Sequence, residues 1–289
     1  MVRPKADGPG EGLLAGKAPR LLALDIDDTL TGSDGKLSPA NLAAVRRAMD
    51  QGILVTLITG RRYRQSAQRF AADIGLAGPI GCHYGRAIVL HPEERFLHQQ
   101  HLPQDLCRQI LAHSRQRDLH ISLVADELIF LPAEDEASID EPRYPLTVWV
   151  DDFETVLEQR GDRVMSIGVS GAGAEGVRDV LADAVSVGRA TVYSQRVTGQ
   201  GRTFAVVLGG THNKGTALLD ICSRLGVPPA EVLAMGDSEA DIPLLQSAGL
   251  GIAMPWADQK VREAADLVAS GEANDAAARS IAAVLDAAR

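Results

Sequence analysis

Three aspartates close a short apolar run near the start of the chain: Leu21 to Leu24 lead directly into Asp25, Asp27 and Asp28. An unbroken apolar run ending in a polar turn predicts a strand buried on both faces of a parallel sheet, with the acids at its carboxyl end. Open α/β sheets bind ligands in the crevice outside the strand carboxyl ends, so chemistry is expected here. Carboxylates this close repel one another and call for a cation. Mg²⁺ fits, because it is hard, takes oxygen ligands and is commonly held by one or two carboxylates together with a substrate phosphate. A solvated acidic turn would have the same DxDxT spelling, so the rest of the chain has to decide.

Other apolar runs end in the same manner. Ile53 to Ile58 runs into Thr59, Gly60 and Arg61, and Val232 to Met235 runs into Gly236, Asp237 and Ser238. Lys214 opens a predicted helix leading back to the sheet, where a cation opposes the helix dipole by up to ~1 kcal/mol unless an anion lies near. Arg61 opens the next predicted helix, RRYRQSAQRFAADIG, under the same penalty and is the functional candidate, whereas Arg62 and Arg64 read as solvated surface. In a doubly wound sheet Asp25, Asp27, Thr59, Asp237 and Lys214 meet in one crevice. A nucleophile, an acid/base, a metal and donors for equatorial oxygens are the requirements of phosphoryl transfer. Thr59 can cap the Arg61 helix and still face the crevice. Asp241 admits two readings, a metal-shell role and the far end of an S-x-x-D capping box begun by Ser238. His83 admits a substrate contact, but a lone histidine after a strand is more often structural.

The elements that must position these residues follow a βαβ order. Ser38 and Pro39 start a helix that Gly52 ends, and Pro79 to Cys82 gives a third short strand. From 86 to 203 the texture changes to short strands interrupted by helices, an α+β insertion with a mostly antiparallel sheet; Ala133 to Pro145 reads as a loop within it. The core pattern is expected to resume with TFAVVLGG from Thr203. The predicted fold is therefore α/β, a doubly wound, mostly parallel Rossmann-like sheet. Its domains are a flexible tail at 1–18, a core at 19–85 and 204–289, and the insertion at 86–203.

With 29 basic and 38 acidic residues the net charge is −9, which disfavours nucleic-acid and anionic-membrane partners. No apolar run approaches the ~20 residues of a membrane helix, and Met1 to Ala18 has no continuous apolar core of a secretory signal. A cytoplasmic protein is expected. The three scattered cysteines, Cys82, Cys107 and Cys222, lack metal-ligand spacing and read as reduced.

The order DIDDT, ITGR, NKGTAL and GDSEADIPLL, with a large insertion between the second and third, resembles the haloacid dehalogenase superfamily of phosphatases. The placement and texture of the insertion look like the Cof-type branch with a type IIB cap, and the match spans nearly all of residues 20 to 288. The resemblance implies that Asp25 is the nucleophile, forming an aspartyl-phosphate, and that Asp27 is the acid/base. It implies Mg²⁺ held by the Asp25 carboxylate, the Asp27 carbonyl and Asp237. Thr59, Gly60, Arg61 and Lys214 then serve the substrate phosphate, the substrate being a small phosphorylated metabolite such as a sugar phosphate. A phosphomannomutase-like phosphomutase and a catalytically retired binding or sensor module are the alternatives. The chain departs from the family pattern at Asp28, usually glycine; at Tyr84, usually asparagine; at Ala240, usually asparagine; and in AMPWAD (253–258), usually AMGNA. Neither the substrate nor the oligomeric state is set by these motifs.

Overall fold

A computed structural model describes residues 17–32, 34–138, 146–197 and 202–287. The expected tail lies outside the described residues as far as residue 16, as does 139–145 of the expected loop; Ala133–Ser138 forms 3₁₀ turns.

In chain order the elements are β1 (Leu21–Leu24), α1 (Pro39–Asp50), β2 (Leu54–Leu57), α2 (Gln68–Ile74), β3 (Gly78–Cys82), β4 (Ala87–His91) and β5 (Arg95–Gln99). There follow α3 (Gln104–Arg117), β6 (His120–Ala125), β7 (Leu128–Pro132), β8 (Thr147–Val150), α4 (Phe153–Arg160) and β9 (Val164–Gly171). Next come α5 (Val177–Val180), α6 (Ala182–Ser186), β10 (Ala190–Val197) and β11 (Arg202–Gly209). The chain closes with α7 (Lys214–Leu225), β12 (Val232–Gly236), α8 (Ile242–Ser247), β13 (Leu250–Ala253), α9 (Gln259–Ala264), β14 (Leu267–Val268) and α10 (Ala276–Ala287). It divides into two compact units, one built from the described residues up to His98 and from Asn213 on, the other Gln99–His212.

The first unit is built on a five-stranded sheet, β14-β13-β12-β1-β2, whose pairings are all parallel. Leu21 and Ala23 pack against Leu218 and Ile221 of α7 and Leu244 of α8, while Leu22 and Leu24, turned the other way by the pleat, are equally buried. Burial on both faces is what the unbroken run requires, each Leu contributing about 1.5–3 kcal/mol. Ser38 caps α1 by accepting from Asn41 N–H, with Pro39 at the first helical position. The Asn41 side chain is buried. It donates to Leu30 O at 3.1 Å and accepts from Ala278 N at 3.0 Å, tying the turn after β1 to α1 and α10.

The second unit is a six-stranded sheet, β10-β11-β9-β6-β7-β8, antiparallel throughout except where β8 joins β7. Its core joins Leu106, Ile110 and Leu111 of α3 to Leu123, Ile167, Val169, Ala205 and Val207 of the strands. These α3 positions recur at helical spacing and the strand positions alternate, so one face of each element is apolar.

An inserted α+β domain with a mostly antiparallel sheet beside a parallel core is thus what the sequence predicts. Several elements differ. TFAVVLGG does not rejoin the parallel sheet; β11 pairs antiparallel with both β9 and β10, in the second unit. Ala87–His91 pairs antiparallel with β3 and belongs to the first unit, in a three-stranded sheet linked to the core through the parallel bridge Ile58–Gly81. The helix expected from Arg61 begins later, as a π-helical turn Tyr63–Ala67 running into α2. Arg62 is buried rather than solvated, and its Nε donates to Gln65 Oε1 at 3.0 Å.

Candidate active site

The acids at the end of β1 meet groups brought from two other elements. Asp25 follows Leu24 and its N–H donates to Met235 O at 3.1 Å, so the β1 and β12 ends stay level and Asp237 emerges beside it. Lys214, at the start of α7, reaches in with Nζ 2.7 Å from Asp25 Oδ1 and 2.6 Å from Asp241 Oδ1. All three side chains of this pair of bridges are buried. Asp25, Asp237 and Asp241 each offer a carboxylate oxygen, and these lie within 4.8 Å of one another.

Local structure explains how Lys214 tolerates a helix N-terminus. Asn213 caps α7 by accepting from Gly215 and Thr216 N–H, while the Thr216 hydroxyl accepts from Asn213 N–H, a complete capping box. The anions that offset the dipole are Asp25 and Asp241. Asp241 takes up the capping reading and at the same time pairs with Lys214. Its Oδ2 accepts from Ser238 N–H at 3.0 Å and from the Ser238 hydroxyl at 2.6 Å as a cap, leaving Oδ1 for Lys214.

Two glycines that the sequence reading did not single out make this approach possible. A Cβ on Gly236 would stand 2.5 Å from Asp241 Cβ, and one on Gly85 would stand 2.3 Å from Asn213 O. Gly85 also has φ +87°, so it serves the turn as well as the contact. The glycine in GDSEADIPLL and the one after Tyr84 were the available signals.

Thr59 is buried, and its hydroxyl accepts from Arg61 N–H at 3.1 Å in the turn ahead of the helix; it does not cap that helix, which starts only at Tyr63 after Arg62. Gly60 lies under the Tyr84 ring, 2.8 Å from where a Cβ would be. Arg61 Nε donates to Asp27 Oδ2 at 2.9 Å and Oδ1 at 3.1 Å, and its guanidinium lies 4.7 Å over the Phe70 ring. Asp27 is half exposed. Asp28 takes a left-handed conformation, and His83 is buried with positive φ.

Charge is unevenly balanced. Burial first, then the nearby Asp241 carboxylate, raise the Asp25 pKa well above the usual carboxylate range. The same causes in the same order push Asp237 up to about 7. Burial pulls Lys214 down, but Asp241 and Asp25 outweigh it and hold its pKa above the ordinary lysine value. One ammonium therefore faces three clustered carboxylates, leaving an anionic excess of oxygen donors. That donor set fits a hard divalent cation.

A family model described as haloacid dehalogenase-like hydrolase matches residues 22–281. The chain belongs to that family. Among its relatives, a 5-amino-6-(5-phospho-D-ribitylamino)uracil phosphatase from Bacillus subtilis is 29% identical over 90% of this chain and 96% of its own. A phosphoglycolate phosphatase from Methanopyrus kandleri is 30% identical over 92% of this chain and 97% of its own. Among solved structures, a sugar phosphatase of haloacid dehalogenase subclass IIB superposes with a TM-score of 0.75 at 21% identity, over 91% of this chain and 98% of that one. The haloacid dehalogenase-like chain described here is thus a Cof-type phosphatase, a phosphoric monoester hydrolase. No helix among the described residues is long and apolar enough to cross a membrane.

Proposed function

We propose that the protein is a Mg²⁺-dependent phosphatase of a small phosphorylated metabolite, acting through an aspartyl-phosphate on Asp25. The observation that carries this reading is the buried Lys214 ammonium bridging Asp25 and Asp241. A lysine so placed fixes the Asp25 carboxylate and offers positive charge where phosphoryl oxygens gather in the transition state. Asp25, Asp237 and Asp241, with the Asp27 main-chain carbonyl, would hold the cation, which when bound supplies charge neutralisation and orientation of the phosphate.

One Asp25 oxygen attacks phosphorus as the bond to the leaving oxygen breaks, and a proton passes from the Asp27 carboxyl to that oxygen. The resulting Asp27 carboxylate then takes a proton from water as the water oxygen attacks the aspartyl-phosphate, which releases phosphate and restores Asp25. Thr59 donates its hydroxyl to a phosphate oxygen, and the side-chain-free Gly60 lets the backbone come close. Arg61 orients Asp27 and, on giving up some of its hydrogen bonds to that carboxylate, reaches the substrate. The second unit is the cap domain that selects the substrate. Buried, free cysteines accord with a cytoplasmic setting.

The ribitylaminouracil-phosphate and phosphoglycolate relatives support a small metabolite and differ in which one. The test is a panel of metabolite phosphates assayed for phosphate release with and without Mg²⁺. Turnover that needs the cation and vanishes in Asp25→Asn is expected; cation-independent turnover, or full activity of Asp25→Asn, rejects the reading.

A further inference from the structure

Asp28 and AMPWAD both depart from the family pattern, and in the fold they meet. Asp28 has φ +50°, and its carbonyl accepts a hydrogen bond from Trp256 Nε1 at 2.9 Å. The turn that carries Trp256 is fixed at the strand ends: Met254 N–H donates to Gly236 O at 2.9 Å, one residue before Asp237. Ala257 N–H donates to Met254 O at 3.1 Å, and Arg262 holds Pro255 O at 3.1 Å. On the Asp28 side, the next residue's hydroxyl, Thr29 Oγ1, donates to Asp237 Oδ1 at 3.4 Å. Trp256 is therefore clamped by its N–H edge at the rim of the crevice that holds the acids. Trp256 is still 38% exposed although its polar atom is already satisfied by protein. Asp28, whose carbonyl holds the indole, is itself exposed.

We propose that Trp256 and Asp28 are specificity-determining residues for a phosphate monoester whose alcohol portion carries a flat, N–H-bearing ring. The exposed indole face stacks on the ring, and the Asp28 carboxylate accepts from its N–H groups. The hydrogen bond to Asp28 O removes the indole's rotational freedom beforehand, so little ordering is left for binding. This inference rests on the phosphatase reading of the crevice and concerns only the leaving group. An acyclic substrate has no face to offer and gains nothing from the indole.

The experiment compares kcat/KM of the full chain for uridine 5′-monophosphate and riboflavin 5′-phosphate with that for glycerol 3-phosphate. Trp256→Ala lowers the ring-to-acyclic ratio about tenfold, through KM. Trp256→Phe, which keeps a face and loses the N–H, recovers part of it. An unchanged ratio, both substrates falling together, overturns the proposal and leaves Trp256 a structural clamp. If the wild type turns over none of these, the wider metabolite panel decides the phosphatase reading, and binding decides the inference separately. Of the two tryptophans, Trp149 is replaced by Phe in an Asp25→Asn background, leaving Trp256 as the sole indole. Quenching of its fluorescence by uridine 5′-monophosphate, and not by glycerol 3-phosphate, supports the proposal; quenching by neither overturns it.

Discussion

Lys214 is the residue on which the site's electrostatics turn, because it is the counter-ion buried between Asp25 and Asp241. Removing one partner of a buried pair leaves the other charge exposed to a low dielectric, typically costing ~3–5 kcal/mol unless a proton is taken up. Lys214→Met keeps the length of the stem and deletes the charge, so it isolates this effect. The expected outcome is a fall in kcat of about 10³-fold or more, measured as phosphate release at saturating substrate, with far-UV circular dichroism unchanged. A fall of less than tenfold contradicts a direct role. Lys214 was legible from the sequence because a cation at a helix N-terminus runs against the local dipole. Its second partner was only half legible: Asp241 satisfies a capping box, and nothing in S-x-x-D reveals that one carboxylate oxygen is left over. The Arg61–Asp27 contact was not legible, since the two lie on separate strand ends and only the sheet register brings them together.

At the scale of elements, α7 and the turn after β3 must pack closely for Lys214 to reach Asp25. Gly85 sets that approach, its absent Cβ leaving room for Asn213 O. Gly85→Ala introduces both a positive-φ strain and an overlap with backbone that cannot rotate away. Urea unfolding is expected to show a loss of roughly 2–4 kcal/mol with kcat reduced as well, because α7 moves with its lysine. Wild-type stability in that variant contradicts the close approach. The strands carrying the acids were readable because each is a short apolar run ending in a polar turn. That signature failed for β11, since a run such as TFAVVLGG is apolar in a parallel sheet and in the middle of an antiparallel one alike. It failed for β4 because apolar runs carry no mark of which neighbour they pair with. Arg62 was misplaced on the surface for a related reason: the π-helical turn that buries it has no simple sequence sign.

At the scale of the whole molecule, the acidic cluster couples stability to pH and to cation. Asp237 titrates near 7 in the fold against an ordinary 3.8, so the folded state binds the proton more tightly than the unfolded one. Its contribution to stability is fully present below about pH 3.8 and lost as the pH rises through about 7. Asp25 is shifted in the same direction. His91, whose pKa burial lowers, acts oppositely in the neighbouring range, so the informative quantity is the difference between wild type and Asp237→Asn. In chelator, the wild type is expected to lose roughly 1–3 kcal/mol more than Asp237→Asn between pH 5 and pH 8, read by calorimetry. Adding Mg²⁺ restores more stability at pH 8 than at pH 5, because cation and proton compete for the same oxygens. An equal pH slope in the two proteins contradicts this charge balance. The most direct measurement, though, is of the covalent step itself. Asp27→Asn is mixed with 4-nitrophenyl phosphate, whose leaving group needs no proton, quenched in acid and mapped by mass spectrometry. One phosphoryl group on Asp25, absent when Asp25 is also replaced by Asn, is the required result; a nitrophenolate burst with no phosphoryl group on Asp25 contradicts it.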